Sequence, residues 1–109
     1  QNAVTDLNMM WGLSDLQTWT EWEFGGKPWQ VPDKMRKHSP LTYADKIKTP
    51  TLILHSVDDR VWPFDEAETL HRAIARSRLV ALPSKNHILQ SGEPAFQLFL
   101  DEVEAFLAG

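Results

Sequence analysis

Residues 51–63, Thr-Leu-Ile-Leu-His-Ser-Val-Asp-Asp-Arg-Val-Trp-Pro, run from an apolar segment into an acidic turn. His87 follows 28 residues after Asp59, in Pro83-Ser84-Lys85-Asn86-His87. An aspartate beyond one strand and a histidine beyond the next can form a proton relay. The carboxylate accepts a hydrogen bond from one ring nitrogen, fixes the tautomer, and leaves the other nitrogen to take a proton from a nucleophile. Spacing leaves both Asp58 and Asp59 open as the acid, with a slight preference for Asp59; Asp58 can equally cap the turn or pair with Arg60. His38 beside a Ser-Pro turn, His55 near a strand end and His71 inside a helical stretch have plainer structural roles. A nucleophile on a sharp strand-to-helix turn is absent from these residues.

The elements that must position such a relay are legible. Thr51–His55 is a continuous apolar run without polar alternation, the pattern of a parallel strand covered on both faces. Asp65-Glu66-Ala67-Glu68 opens a helix with acids in its first turn, where the orphan N–H groups favour them, and Ala67, Leu70 and Ile74 give it one apolar stripe. Residues 79–82 form a second strand. A final amphipathic helix over 94–108 carries Phe96, Phe99, Leu100, Val103, Phe106 and Leu107 on one face. Strand, helix, strand, helix is a βαβα unit with a right-handed parallel crossover. In an open α/β sheet the site lies beyond the carboxyl ends of the strands, which is where Asp59 and His87 fall. Two strands cannot cover both faces of a strand as apolar as 51–55, so further strands are expected from outside these residues or from another chain.

Upstream, residues 1–8 read as a loop with Asp6 and Asn8 as turn or cap residues. Helices are expected over 8–14 and 15–24, the latter capped by Ser14 or Asp15 and ended by Gly25-Gly26. A short helix over 32–38 takes Pro32 in its first turn, and a single turn spans 41–47. Four of the five tryptophans, Trp11, Trp19, Trp22 and Trp29, lie in this first third. They are expected mainly to pack against a larger core. Trp22 and Trp62 are also candidates for lining an apolar substrate pocket, since such pockets are commonly aromatic.

At 109 residues the chain has room for one domain at most. A net charge of −4 without a basic stripe argues against nucleic acid as a partner. No apolar stretch reaches the length of a membrane span, and no signal-peptide pattern opens the chain. The absence of cysteine excludes disulfides and thiolate chemistry and fits a cytoplasmic location. No metal is expected, because His55, Asp58, Asp59 and His87 show no recurring ligand spacing. No cofactor is expected either: Gly25-Gly26 follows no strand and makes no phosphate loop.

Residues 39–55, Ser-Pro-Leu-Thr-Tyr-Ala-Asp-Lys-Ile-Lys-Thr-Pro-Thr-Leu-Ile-Leu-His, together with the Asp58–Pro63 turn and Asn86-His87, resemble the end of the catalytic domain of the prolyl oligopeptidase family. The resemblance is strongest to its acylaminoacyl-peptidase and dipeptidyl-peptidase-like members. Trp22-Glu23-Phe24-Gly25-Gly26-Lys27-Pro28-Trp29 resembles the segment that precedes the same Ser-Pro-Leu in that family. The resemblance implies the C-terminal βαβα portion of an α/β-hydrolase fold, incomplete by itself, with residues 1–50 helical and aromatic-rich and residues 51–109 carrying the acid and base. It implies Asp59 as the triad aspartate and His87 as the triad histidine, with the Gly-x-Ser-x-Gly-Gly elbow upstream of Gln1. None of Ser14, Ser39, Ser56, Ser77, Ser84 or Ser91 stands in such a context.

This sequence departs from the family pattern in three places. Ser56 and Ile88 replace glycines, and the link over 75–79 is several residues short and lacks a glycine. The implied function is part of a serine hydrolase cleaving peptide bonds in a peptide or acylated-peptide substrate. The rest of the domain, or a second chain that completes the sheet, is the implied partner, with homo-oligomerisation as a further route. An esterase using the same machinery and a degenerate fragment serving packing or association are the alternatives.

Overall fold

The computed structural model describes residues 4–109, which form two compact units, residues 4–46 and residues 47–109. The first is helical: α1 (Leu7–Leu13), α2 (Gln17–Phe24), α3 (Pro32–His38) and a 3-10 helix over Pro40–Lys46. The second contains β1 (Thr51–Ser56), α4 (Phe64–Ala73), β2 (Ser77–Leu82) and α5 (Pro94–Ala108).

In the first unit Asp6 caps α1, its side chain accepting from the Asn8 N–H. Ser14 does not cap α2. Its hydroxyl instead donates to the Met10 carbonyl at 2.6 Å while its own N–H closes α1, and α2 starts after Leu16 without a side-chain cap. Gly25 ends α2 at φ 81°, the left-handed conformation that glycine adopts without a Cβ clash. The core is small: Leu7, Met10, Met35 and Ala44, with the Ser39 hydroxyl joining the Leu7 N–H to the Met35 carbonyl. Trp11 stands edge-on to Trp29 at 5.2 Å and donates its indole N–H to Glu21. Trp19, Trp22 and Trp29 are exposed in this chain, which leaves their apolar faces uncovered by the described residues.

In the second unit β1 and β2 pair in parallel, with Thr51 opposite Ser77 and Ser56 opposite Leu82. β2 begins two residues earlier than expected, so the short 75–79 link is taken up into the strand. The Ser77 hydroxyl donates to the Ile74 carbonyl at 2.7 Å and holds the turn that leads into it. Leu82, Ile53, Ala67, Ile74 and Ala95 form the core between sheet and helices. Arg78 on β2 is paired with Glu102 on α5. Only Ile53 and Ser56 of β1 are buried, and on α5 Leu100 and Leu107 are exposed. The apolar character of both elements therefore exceeds what the described residues cover. No helix among them is long and apolar enough to cross a membrane.

Leu82 is 2% exposed at the end of β2, directly before the segment that carries His87. Leu82→Ala should lower stability by about 2–5 kcal/mol. Urea unfolding checks this, and a loss below about 1 kcal/mol would mean that packing at the end of β2 does not support the segment that carries His87.

Candidate active site

Two extra backbone bonds continue the β1–β2 ladder past the strand ends. The Val57 N–H donates to the Leu82 carbonyl at 3.0 Å and the Asp58 N–H to the Ser84 carbonyl at 3.1 Å. The acidic turn and the histidine segment are thereby stitched together before either reaches its functional side chain. The turn then brings Asp59 inward, its side chain only 3% exposed, whereas Asp58 faces solvent. The turn closed by the Asp59 N–H on the Ser56 carbonyl separates the two acids, and only Asp59 is aimed at the histidine.

Both oxygens of Asp59 are occupied. Oδ1 accepts from the Val61 N–H at 2.8 Å and the Trp62 N–H at 2.9 Å. Oδ2 lies 2.7 Å from His87 Nδ1 and 3.4 Å from His55 Nε2. Burial by itself would raise the Asp59 carboxyl, but the Trp62 N–H, His87 and the Val61 N–H outweigh it and hold the group below the usual carboxylate range. An ionised carboxylate can only accept, so the proton of this pair sits on His87 Nδ1. The neutral ring then carries its lone pair on Nε2, and the His87 side chain is 32% exposed. No hydrogen bond among the described residues engages that nitrogen.

His55 plays a different part. Its Nε2 is 2.8 Å from the Trp62 carbonyl, which cannot donate, so His55 carries its proton on Nε2. The ring bridges β1 to the far side of the acidic turn and stacks edge-on to Phe64 at 5.8 Å. His55, Asp59 and His87 thus converge, while Asp58 stays outside. The described residues contain no group of three or more side chains arranged to hold a metal ion. His38 packs near Phe24 in the helical unit. His71 Nδ1 is 2.7 Å from the Ser77 hydroxyl, but that hydroxyl already donates to backbone carbonyls, so His71 is the donor and no base for Ser77.

Five of the six serine hydroxyls are spent on structure. Ser14, Ser39, Ser56 and Ser77 donate to backbone carbonyls, and Ser84 donates to the Glu93 carboxylate. Of the weak pocket candidates, Trp22 is 78% exposed in the helical unit. Trp62 is half-buried and contributes its backbone to the acidic turn.

Both family departures near the site are resolved by geometry. Ile88 requires no positive φ, since no non-glycine residue among those described adopts one, and its side chain is 70% exposed. Ser56 is buried, and its hydroxyl donates to the Asn86 carbonyl at 2.7 Å, a bond that glycine cannot make. Glu93 is the residue that sequence reasoning missed: its carboxylate receives Ser84, Asn86 and Gln90. No periodicity or motif signals it, because its partners come from an irregular loop.

Because the Asp59 carboxyl is lowered in the folded state, its contribution to stability is complete above the ordinary aspartate value of ~3.9 and is lost as pH falls through the lower folded value. Asp59→Asn should therefore be destabilising at neutral pH, and the gap from the parent should narrow on acidification. Urea melts across pH 7 to pH 3 check this; a constant gap would contradict an ionised, bonded Asp59.

The prolyl oligopeptidase family model matches residues 1–108. A relative named Uncharacterized peptidase YuxL, from Bacillus subtilis (strain 168), is 31% identical over 100 residues, covering 86% of this chain and 15% of its own length. Acylamino-acid-releasing enzyme of Rattus norvegicus is 31% identical over 115 residues, covering 94% of this chain and 16% of its own. AB hydrolase superfamily protein YisY of Bacillus subtilis (strain 168) matches a shorter stretch, 51% identical over 41 residues, which is 38% of this chain and 15% of that protein. The chain thus spans 15–16% of the length of these relatives. With the family match running from the first residue to the last but one, over parallel strands flanked by helices, this chain belongs to the prolyl oligopeptidase family and carries part of its α/β-hydrolase fold.

Proposed function

We propose that these residues supply the general base and the orienting acid of a serine peptidase, His87 as base and Asp59 as acid. The observation that carries this reading is the 2.7 Å contact of His87 Nδ1 with a buried Asp59 carboxylate, which leaves the partly exposed ring with a bare Nε2. In the assembled site a serine supplied by the upstream domain, or by another chain, attacks the scissile carbonyl and passes its proton to Nε2. Asp59 then stabilises the imidazolium without itself taking a proton, and the base returns that proton to the leaving amine. Water repeats the cycle on the acyl-enzyme. Backbone N–H groups upstream would hold the oxyanion.

Family membership and the acylamino-acid-releasing relatives support peptide bonds, including those of acylated peptides, as the substrate class. The apolar surplus on β1 and α5 supports a partner that extends the sheet, either the rest of the hydrolase domain or a second copy. A second reading, an esterase with the same acid and base, is favoured by the 51% identity of a 41-residue stretch to an AB hydrolase superfamily protein. The same chemistry cleaves both bonds, so the ratio of anilide to ester turnover separates the two.

In the full protein, His87→Ala and Asp59→Asn should each lower kcat on N-acylaminoacyl anilides by about 10³-fold or more, because the asparagine amide forces the wrong histidine tautomer. Unchanged turnover in both variants would leave the degenerate, non-catalytic reading. Residues 1–109 alone should hydrolyse neither anilides nor activated esters; turnover that persists in them and disappears in His87→Ala would contradict a nucleophile supplied from elsewhere.

A further inference from the structure

The segment between β2 and α5 has no regular secondary structure, yet it holds an imidazole nitrogen 2.7 Å from a carboxylate oxygen. One side chain collects three of its donors. Glu93 Oε2 accepts from the Ser84 hydroxyl at 2.9 Å and from Asn86 Nδ2 at 3.0 Å, and Oε1 accepts from the Gln90 N–H at 2.9 Å. These donors bracket His87 in sequence, two before it and one after. The two residues reached on the N-terminal side are themselves tied to the acidic turn. The Ser84 carbonyl receives the Asp58 N–H, the Ser84 hydroxyl receives the Asn86 N–H at 3.0 Å, and the Asn86 carbonyl receives the Ser56 hydroxyl. A continuous hydrogen-bonded path therefore runs from Glu93 through Ser84 and Asn86 to the turn that carries Asp59.

Glu93 is also in the wrong place for its ordinary use. It is the N-cap of α5, followed by Pro94, but its side chain makes no capping bond to that helix. Serine, threonine, aspartate or asparagine would serve as a cap there, and glutamate would not. Its carboxylate is turned away from α5 and into the loop. The Gln90 N–H lowers its carboxyl more than partial desolvation raises it, with Ser84 and Asn86 acting in the same sense, so Glu93 stays ionised and purely an acceptor at neutral pH.

We propose that Glu93 is a positioning residue for His87, its carboxylate fixing the Ser84–Gln90 loop so that the ring stays on Asp59, with the Ser56–Asn86 bond as the second tether. The catalytic consequence rests on the reading of His87 as the base; the geometric claim does not. Glu93→Asp discriminates between a loop anchor and a helix start. Aspartate is the better N-cap but is one methylene too short to reach both sides of the loop.

The experiment compares parent, Glu93→Asp, Glu93→Ala and Ser56→Ala in the full protein. It reads thermal midpoint, the His87 Nδ1–H resonance in long-range 1H–15N spectra, and kcat and KM on acylaminoacyl anilides. For Glu93→Asp the expected result is a retained or raised midpoint with loss of the His87 Nδ1–H signal to rapid exchange. The His55 Nε2–H signal should stay, kcat should fall about 10²-fold, and KM should change little. Ser56→Ala should show the same pattern more weakly. An unaltered His87 resonance in Glu93→Asp and Ser56→Ala would overturn the proposal, even if Glu93→Ala fails to fold. If the parent turns over no substrate, the hydrolase reading fails, and the resonance alone decides whether Glu93 sets the ring.

Discussion

The Asp59 carboxylate is the constraint around which the second unit is organised. A buried charge is tolerable only when its lone pairs are filled, and here two backbone N–H groups and one imidazole fill them. The two N–H groups come from Val61 and Trp62, which forces the chain after Asp59 to fold back over it. The Trp62 carbonyl is then presented to His55 on β1, so the acidic turn is closed at both ends. Removing the charge would release the turn, the strand end and the histidine together.

Opposite it stands a second ionised carboxylate, Glu93, which plays for the histidine segment the part that backbone N–H groups play for the acidic turn. Between the two lie Ser56, Ser84 and Asn86, every one of them bonded across from one loop to the other or to a carboxylate. Loops positioned in this way can carry precise chemistry without regular structure, because charge-assisted hydrogen bonds are short and directional. The arrangement also explains how the chain dispenses with two glycines. The serine at position 56 adds a bond between the loops, and the exposed isoleucine at position 88 sits where no unusual backbone conformation is required.

Much of this frame was legible in the residues. The apolar run ending at His55, the acids opening α4 and the apolar spacing of α5 are local patterns, and local patterns survive folding. The pairing of Asp59 with His87 was legible once strand order placed both at one sheet edge, although the choice between Asp58 and Asp59 needed either the family or the direction of the turn. What was not legible depends on partners distant in sequence. Ser14 reads as a cap for the following helix but serves the preceding one. Glu93 reads as a surface acid beside a proline, because its three donors belong to a loop that no periodicity describes.

The central claim is that His87 is held by Asp59 as a base with its lone pair outward. The tautomer of His87 in the unmodified protein near neutral pH, read from long-range 1H–15N spectra, tests it directly. The geometry requires a protonated Nδ1 and a bare Nε2. A His87 ring with its proton on Nε2, and with Nδ1 bare, would contradict it.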